Sequence, residues 1–170
     1  MIERPIKYRN VAGSSDFTIN DGSKKSLLVA PYYHISVDSV DGFWGADISF
    51  ESHPIPGATG EVSGDIYRRG KTITVSGTIT ARGLSELRQG QRYLAEMLNE
   101  TSAKRKFIFQ LWNDNFEIYI WCRPIQDLAM VERIDTPNSN FKVLYTFALK
   151  ADKPYTYKLS DNTLYPTWQT

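Results

Sequence analysis

Residues Lys71 to Ala81 read KTITVSGTITA, and their alternation decides the fold class. Ile73, Val75, Gly77, Ile79 and Ala81 alternate with Thr72, Thr74, Ser76, Thr78 and Thr80. Successive side chains of a β-strand point to opposite faces, so this period of two gives one apolar face and one hydroxyl-rich face. At about 3.4 Å per residue the strand spans on the order of 37 Å, well beyond the usual length of roughly five or six residues. A strand of that length serves a large sheet. Between its ends it carries neither charge nor proline, the devices that keep a sheet edge from pairing with a stranger. It is therefore expected at the centre of its sheet, or covered by a partner.

A second long strand is expected from Phe141 to Ala151, where Phe141, Val143, Tyr145, Phe147 and Leu149 alternate with Lys142, Leu144, Thr146, Ala148 and Lys150. Because Leu144 and Ala148 are also apolar, its second face is expected to be at least partly covered. Lys106 to Trp112 and Phe116 to Arg123 flank Asn113-Asp114-Asn115 and read as a hairpin, with Phe116, Ile118, Ile120 and Cys122 on one face and Glu117, Tyr119 and Trp121 on the other. Shorter strands are expected at Phe17 to Ile19, Leu27 to Ala30, Tyr32 to Val40 and Asp47 to Glu51, with a less regular extended stretch from Ile125 to Ile134. The period changes only after Arg82-Gly83. There Leu84, Leu87, Leu94, Met97 and Leu98 share a helical stripe with Gln91 in the spacing, Ser85 reads as the N-cap, and the helix runs to about Glu100. Its other face, Arg88, Gln89, Arg92 and Glu96, is solvated, and Gly90 is a weak spot of about 1 kcal/mol relative to alanine.

The fold class is therefore mainly β with one α-helix. Residues 1–15 read as an N-terminal arm with no regular structure assigned, residues 16–158 as one domain, and residues 159–170 as a polar-aromatic tail. Within the domain, residues 52–70 (SHPIPGATGEVSGDIYRRG) carry two prolines and four glycines and read as an extended loop or arm.

With 170 residues the chain suffices for one domain with a substantial core. Its net charge of +1 provides no global field to draw nucleic acid or an anionic membrane. No apolar run approaches the roughly 20 residues a membrane helix needs. A single cysteine, Cys122, excludes an internal disulfide and a zinc-cysteine cluster.

Gly64 to Thr72 (GDIYRRGKT) resembles a phosphate-cradling loop only superficially. Five residues, not four, separate its glycines, and it opens a strand where phosphate binding needs a helix N-terminus. Arg68, Arg69 and Lys71 instead form a candidate salt-dependent docking patch for an acidic partner or passing nucleic acid, with Tyr67 and Trp44 as further contact candidates. His34 and His53 have no carboxylate or cysteine at ligand spacing, so no metal site is expected. Cys122 alternates with Ile118 and Ile120 and reads as a small buried hydrophobe. Trp44, Trp112, Trp121 and Trp168 are core or interface anchors, or alternatively a sugar-stacking platform. No Ser-His-Asp set, carboxylate pair or nucleophile elbow emerges, so no catalytic, cofactor or metal residue is assigned and the chain is not expected to be an enzyme.

The order of RRGKTITVSGTIT, the helix LSELRQGQRYLAEML, a hairpin, and a last long strand closing in ALKADKPYTY resembles the N-terminal domain of siphophage distal tail proteins. Arg69-Gly70-Lys71 ahead of a strand containing Gly77, and Leu149 to Tyr155 at the end, carry the resemblance. It covers most of residues 15–158. The resemblance implies a β-sandwich or split barrel flanked by a helix, assembled as a hexameric ring between the tail tube protein and the tail-tip hub protein. DNA would pass through the lumen unbound, and residues 52–70 would lie on a neighbouring subunit. It implies a structural virion protein made in the host cytoplasm, with a tail-tube subunit or a carbohydrate-binding module as alternatives. Longer relatives continue into a second, often carbohydrate-binding, domain that this sequence does not reach, which favours a bare ring adaptor.

Overall fold

The alternation of residues 71–81 is realised as a strand whose odd-numbered side chains, from Lys71 to Ala81, are all buried, while the even-numbered ones are partly or fully exposed. The computed structural model describes residues 6–9, 16–20, 27–28, 30–43, 48–54, 61–68, 70–98, 105–110, 117–125, 128–135 and 140–165. Along the chain run β1 (Ile6–Arg9), β2 (Asp16–Ile19), β3 (Tyr33–Asp41), β4 (Ile48–Pro54), β5 (Glu61–Arg68) and β6 (Lys71–Ala81). Helix α1 (Leu84–Leu98) follows, then β7 (Arg105–Gln110), β8 (Glu117–Pro124), β9 (Ala129–Asp135), β10 (Asn140–Ala151), β11 (Thr156–Lys158) and β12 (Leu164–Tyr165). The pairings are antiparallel throughout these strands, and α1 is the single helix among the described residues.

β6 is central, as its uncharged length requires. One side pairs with β10 in unbroken register from Ala81↔Phe141 to Lys71↔Ala151, and the other side pairs with β3. The β3 register shifts between Val37 and Ser39, leaving Asp38 as the extra residue of a bulge. The far side of β10 is shared: β9 lies along its first half, and the end of β8 meets Leu149 and Lys150. β8 then turns away to pair with β7, which carries β1 and β2 beyond it. A strand that leaves one layer for another makes a corner. Two layers result, β3-β6-β10-β9 and β2-β1-β7-β8, and one core cluster unites Ile73, Val75 and Phe147 of the first with Phe107, Ile118 and Ile120 of the second.

The circuit is not closed by a ladder. At the gap between β2 and β3, Asn20 sits in the left-handed region (φ 60°), donates its N–H to the Ile35 carbonyl at 2.7 Å and accepts the Val37 N–H on its Oδ1 at 3.1 Å. Asparagine tolerates that backbone conformation better than most residues. Helix α1 packs beside the gap against β6, β3 and β10. Its Tyr93 hydroxyl accepts the Thr18 N–H at 2.8 Å, and its ring meets Phe17 edge-on at 5.4 Å, so the helix is tied to β2 as well. At the helix C-terminus, where carbonyls lack intrahelical partners, buried Arg105 donates Nη1 to the Met97 carbonyl at 3.1 Å. No basic residue lies in the last turn of α1, so the cation comes from β7.

Several expectations change. Ile6–Arg9, inside the stretch read as an arm, is a strand of the second layer, and Glu61–Arg68, inside the stretch read as a loop, is a strand paired with β4. Leu27, Leu28 and Ala30, read as extended, lie in turns. Residues 159–170, read as a tail, also contribute to the sheet: β12 pairs with β11, which pairs with β8. The helix N-cap is Gly83, whose carbonyl accepts the Leu87 N–H at 3.0 Å, with Ser85 already inside the helix.

Gly90 is no weak spot. It is buried where α1 crosses the sheet, and a Cβ there would stand 2.9 Å from Ile79 Cγ2 and 3.1 Å from Tyr33 Cδ2. Helix propensity alone makes Gly90→Ala stabilising by about 1 kcal/mol. The crowded contact reverses the sign, since overpacking typically costs about 1–3 kcal/mol. Urea unfolding should therefore give a lower midpoint for Gly90→Ala than for the native chain; a higher midpoint would mean that the helix does not lie this close to β6.

Candidate partner-contact site

The described contact candidates, Tyr67, Arg68 and Lys71, lie where the chain re-enters the main sheet. β3 ends at Asp41, Gly42 turns with φ at 75°, and Phe43 is buried before the chain departs toward β4. Among the described residues β4 and β5 pair only with each other, forming a two-stranded sheet of their own, and the chain returns through Gly70 into β6. Gly42 is required twice over. Its positive φ suits glycine, and a Cβ at this position would collide with the Thr72 carbonyl.

Lys71 fastens the outgoing leg to the returning one. Its side chain is only 4% exposed, its Nζ donates to the Phe43 carbonyl, and the ammonium stands 5.1 Å from the centre of the Phe43 ring. The Phe43 contacts thus offset part of the penalty of burying an ammonium. Lys150 on β10 adds a weaker tie, its Nζ reaching the Gly70 carbonyl at 3.5 Å. Burial pulls the Lys71 pKa down from its ordinary 10.5 to about 8.

Grouping Lys71 with Arg68 and Arg69 as a surface docking patch is therefore corrected: its charge points inward. A lysine at an odd position of β6 follows the core face of the strand, and its stem fills that face. Tyr67 and Arg68 are at the end of β5, opposite Ser49 and Ile48. Trp44 and Arg69 lie outside the described residues, as do Trp112 and Trp168. His34 is on β3 and His53 on β4.

Trp121 is partly buried and its surroundings belong to the chain itself. Lys106 Nζ lies 5.2 Å from its ring centre and 4.3 Å from that of Tyr119, and Tyr119 meets Trp121 edge-on at 5.9 Å and stacks on Tyr157 at 5.4 Å. These rings join β7, β8 and β11 and act as anchors. Cys122 is buried, and burial pushes its thiol up, away from the thiolate a nucleophile needs. Among the described residues no three His, Cys, Asp or Glu side chains gather as a metal site would require, and no helix is long and apolar enough to cross a membrane.

Two surfaces were not singled out from the sequence. The outer edge of β9 meets no strand among the described residues, and Val131 on it is 60% exposed. Its sequence lies in the stretch read as extended, Ile125 to Ile134, but its irregular alternation gives no sign of an open edge. The second surface is the outward face of α1, where Leu84, counted in the apolar stripe, is 45% exposed beside Arg88 and Arg92.

The Lys71 shift has a pH signature. The unfolded chain keeps the proton up to about 10.5 while the folded chain releases it near 8, so the unfolded state binds more protons in between and stability rises with pH across that window. Two buried groups act in the opposite sense: Cys122, its thiol pushed up from 9.0 by burial, above about 9, and Tyr145, raised by burial and by the charge of Asp38, above about 10. Urea midpoints measured from pH 8 to 9 should climb for the native chain, and Lys71→Met should abolish the climb. An equal slope in both proteins would place the charge in water.

No protein-family model and no curated sequence matches the chain. Among solved structures, the fold is similar to that of SPP1 Dit (gp 19.1), described as a paradigm of the hub adsorption apparatus in phages infecting Gram-positive bacteria. The TM-score is 0.55 at 16% identity, over 91% of this chain and 52% of that one. The chain thus spans about half the length of SPP1 Dit and has a similar fold.

Proposed function

We propose that this chain is a structural phage tail protein that forms a ring, hexameric by the resemblance of its sequence, joining the tail tube protein to the tail-tip hub protein in the virion. The observation that carries the reading is the likeness of fold over 91% of the chain to SPP1 Dit, a hub protein of an adsorption apparatus. DNA passes through the lumen of such a ring without specific binding.

Physical features of the chain support the same reading. The open edge of β9 offers unpaired backbone groups over seven residues, and the described residues include no proline there to block pairing. Closing a ring needs a heterologous contact repeated by rotation, in which an edge or arm of one subunit meets a different surface of the next. The β4–β5 hairpin supplies the arm. In this reading it lies on a neighbouring subunit, with Tyr67 and Arg68 at its base and Trp44 and Arg69 in the adjoining connections as contacts.

Native mass spectrometry of the purified full chain, with negative-stain imaging of the same sample, tests the proposal. The expected result is a closed ring of six copies. Long stacked tubes would instead identify a tube subunit, and monomers at every concentration up to the high micromolar range would contradict self-assembly.

A further inference from the structure

The outward face of α1 carries an arrangement that helix stability does not explain. Arg82, Arg88 and Arg92 are all exposed, and none makes an ion pair among the described residues. Arg88 and Arg92 are four residues apart, so like charges stand one turn from each other, and Arg82 precedes the positive end of the helix dipole. Each placement weakens the isolated helix. Leu84, Ser85, Arg88, Gln89 and Arg92 line a shallow depression of about 430 Å³, so an exposed leucine sits among the guanidinium groups. Glu96, one turn beyond Arg92, makes no ion pair with it among the described residues.

The complementary charge lies elsewhere in the same chain. Asp38, lifted out of the β3 ladder by the bulge, accepts a hydrogen bond from Thr78 Oγ1 at 3.1 Å, and Asp41 accepts one from Ser39 Oγ at 3.1 Å. Both carboxylates are exposed, and neither meets a cation among the described residues. The two patches cannot meet within one molecule. Helix α1 packs on the sheet face that bears Ile79, whereas Asp38 stands on the face of Thr78. Asp41 is also eight residues along β3 from Tyr33, which touches Gly90 of the helix, a separation of about 26 Å at about 3.3 Å per residue.

We infer that the Arg82–Arg88–Arg92 face of α1 docks the Asp38–Asp41 edge of β3 on a second copy of this chain. The two patches are opposite in sign and unpaired within the chain, and they lie apart, which is what a heterologous contact between identical subunits needs. The inference rests on the ring reading and adds to it the surfaces that meet. The bulge aims the acidic side chain outward, and the exposed Leu84 provides an apolar centre within a charged rim.

Charge reversal tests it with the full-length chain in analytical ultracentrifugation, from 10 to 500 μM in 50 mM and 500 mM NaCl. Arg88→Glu with Arg92→Glu, and separately Asp38→Lys with Asp41→Lys, should each weaken self-association by at least about tenfold. All four side chains are exposed, so circular dichroism should show both variants folded as the native chain is. An equimolar mixture of the two variants should regain association, because each reversed helix then meets a reversed strand. High salt should weaken the native association. If both reversed variants associate as tightly as the native chain, the inference is wrong while the ring reading stands. If association is lost in the variants but not regained in the mixture, these patches do not face each other. A native chain that stays monomeric throughout overturns the ring reading and the inference together.

Discussion

The ladder between β6 and β10 is the constraint on which the remaining structure depends. It joins the longest strands of the chain over their whole shared length, and its core-facing side chains form the wall against which the second layer and α1 pack. Its middle is fixed by one contact. Tyr145 on β10 lies opposite Gly77 on β6, and its hydroxyl crosses the missing side chain to donate to the Ser36 carbonyl on β3 at 2.8 Å. A Cβ on Gly77 would collide with that carbonyl and with the tyrosine ring. Glycine inside a strand ordinarily weakens it, but here it lets one aromatic side chain stitch three strands together. Since the side-chain period of a strand is two, the stitch also holds the register that keeps Ile73, Val75 and Ile79 inward.

From this rigid centre the structure separates what is built to hold from what is placed to reach. The β4–β5 hairpin leaves the main sheet after Phe43 and returns at Gly70, and the buried Lys71 ammonium fastens the two legs at the base. An ammonium under cover is an unfavourable choice for stability alone. The Phe43 carbonyl and ring offset part of that penalty only if the outgoing leg stays in place, so the charge serves to fix the geometry of the base. An open edge presents backbone groups with which another chain can pair.

Periodic segments were legible in the sequence, and their opposites were not. β6, β10, the β7–β8 hairpin and α1 announce themselves because each repeats its period long enough for one face to be identified. β1 is four residues of mixed character, IKYR, and only its neighbours β2 and β7 make it a strand. β5 contains Gly64 and little alternation, so its pairing with β4 had no local sign. Lys71 was read as a surface charge because lysines seldom lie in a core, although its odd position on the strand pointed inward. Gly90 was read through helix propensity, and the contact with Ile79 and Tyr33 that requires it exists only once helix and sheet are brought together. The basic face of α1 is visible in the sequence as a solvated stripe, but that its arginines make no ion pair among the described residues is not.

The central claim is that a single rigid body, organised on β6 and β10, carries a hairpin that pairs with none of its strands among the described residues. Residue-resolved amide hydrogen exchange on the isolated chain tests this most directly. Amides in the middle of β6 and β10, around Gly77 and Tyr145, should exchange last, only through global unfolding, while amides of β4 and β5 exchange through much easier local opening. Protection of the hairpin equal to that of β6 would make it an integral part of the core and contradict the account.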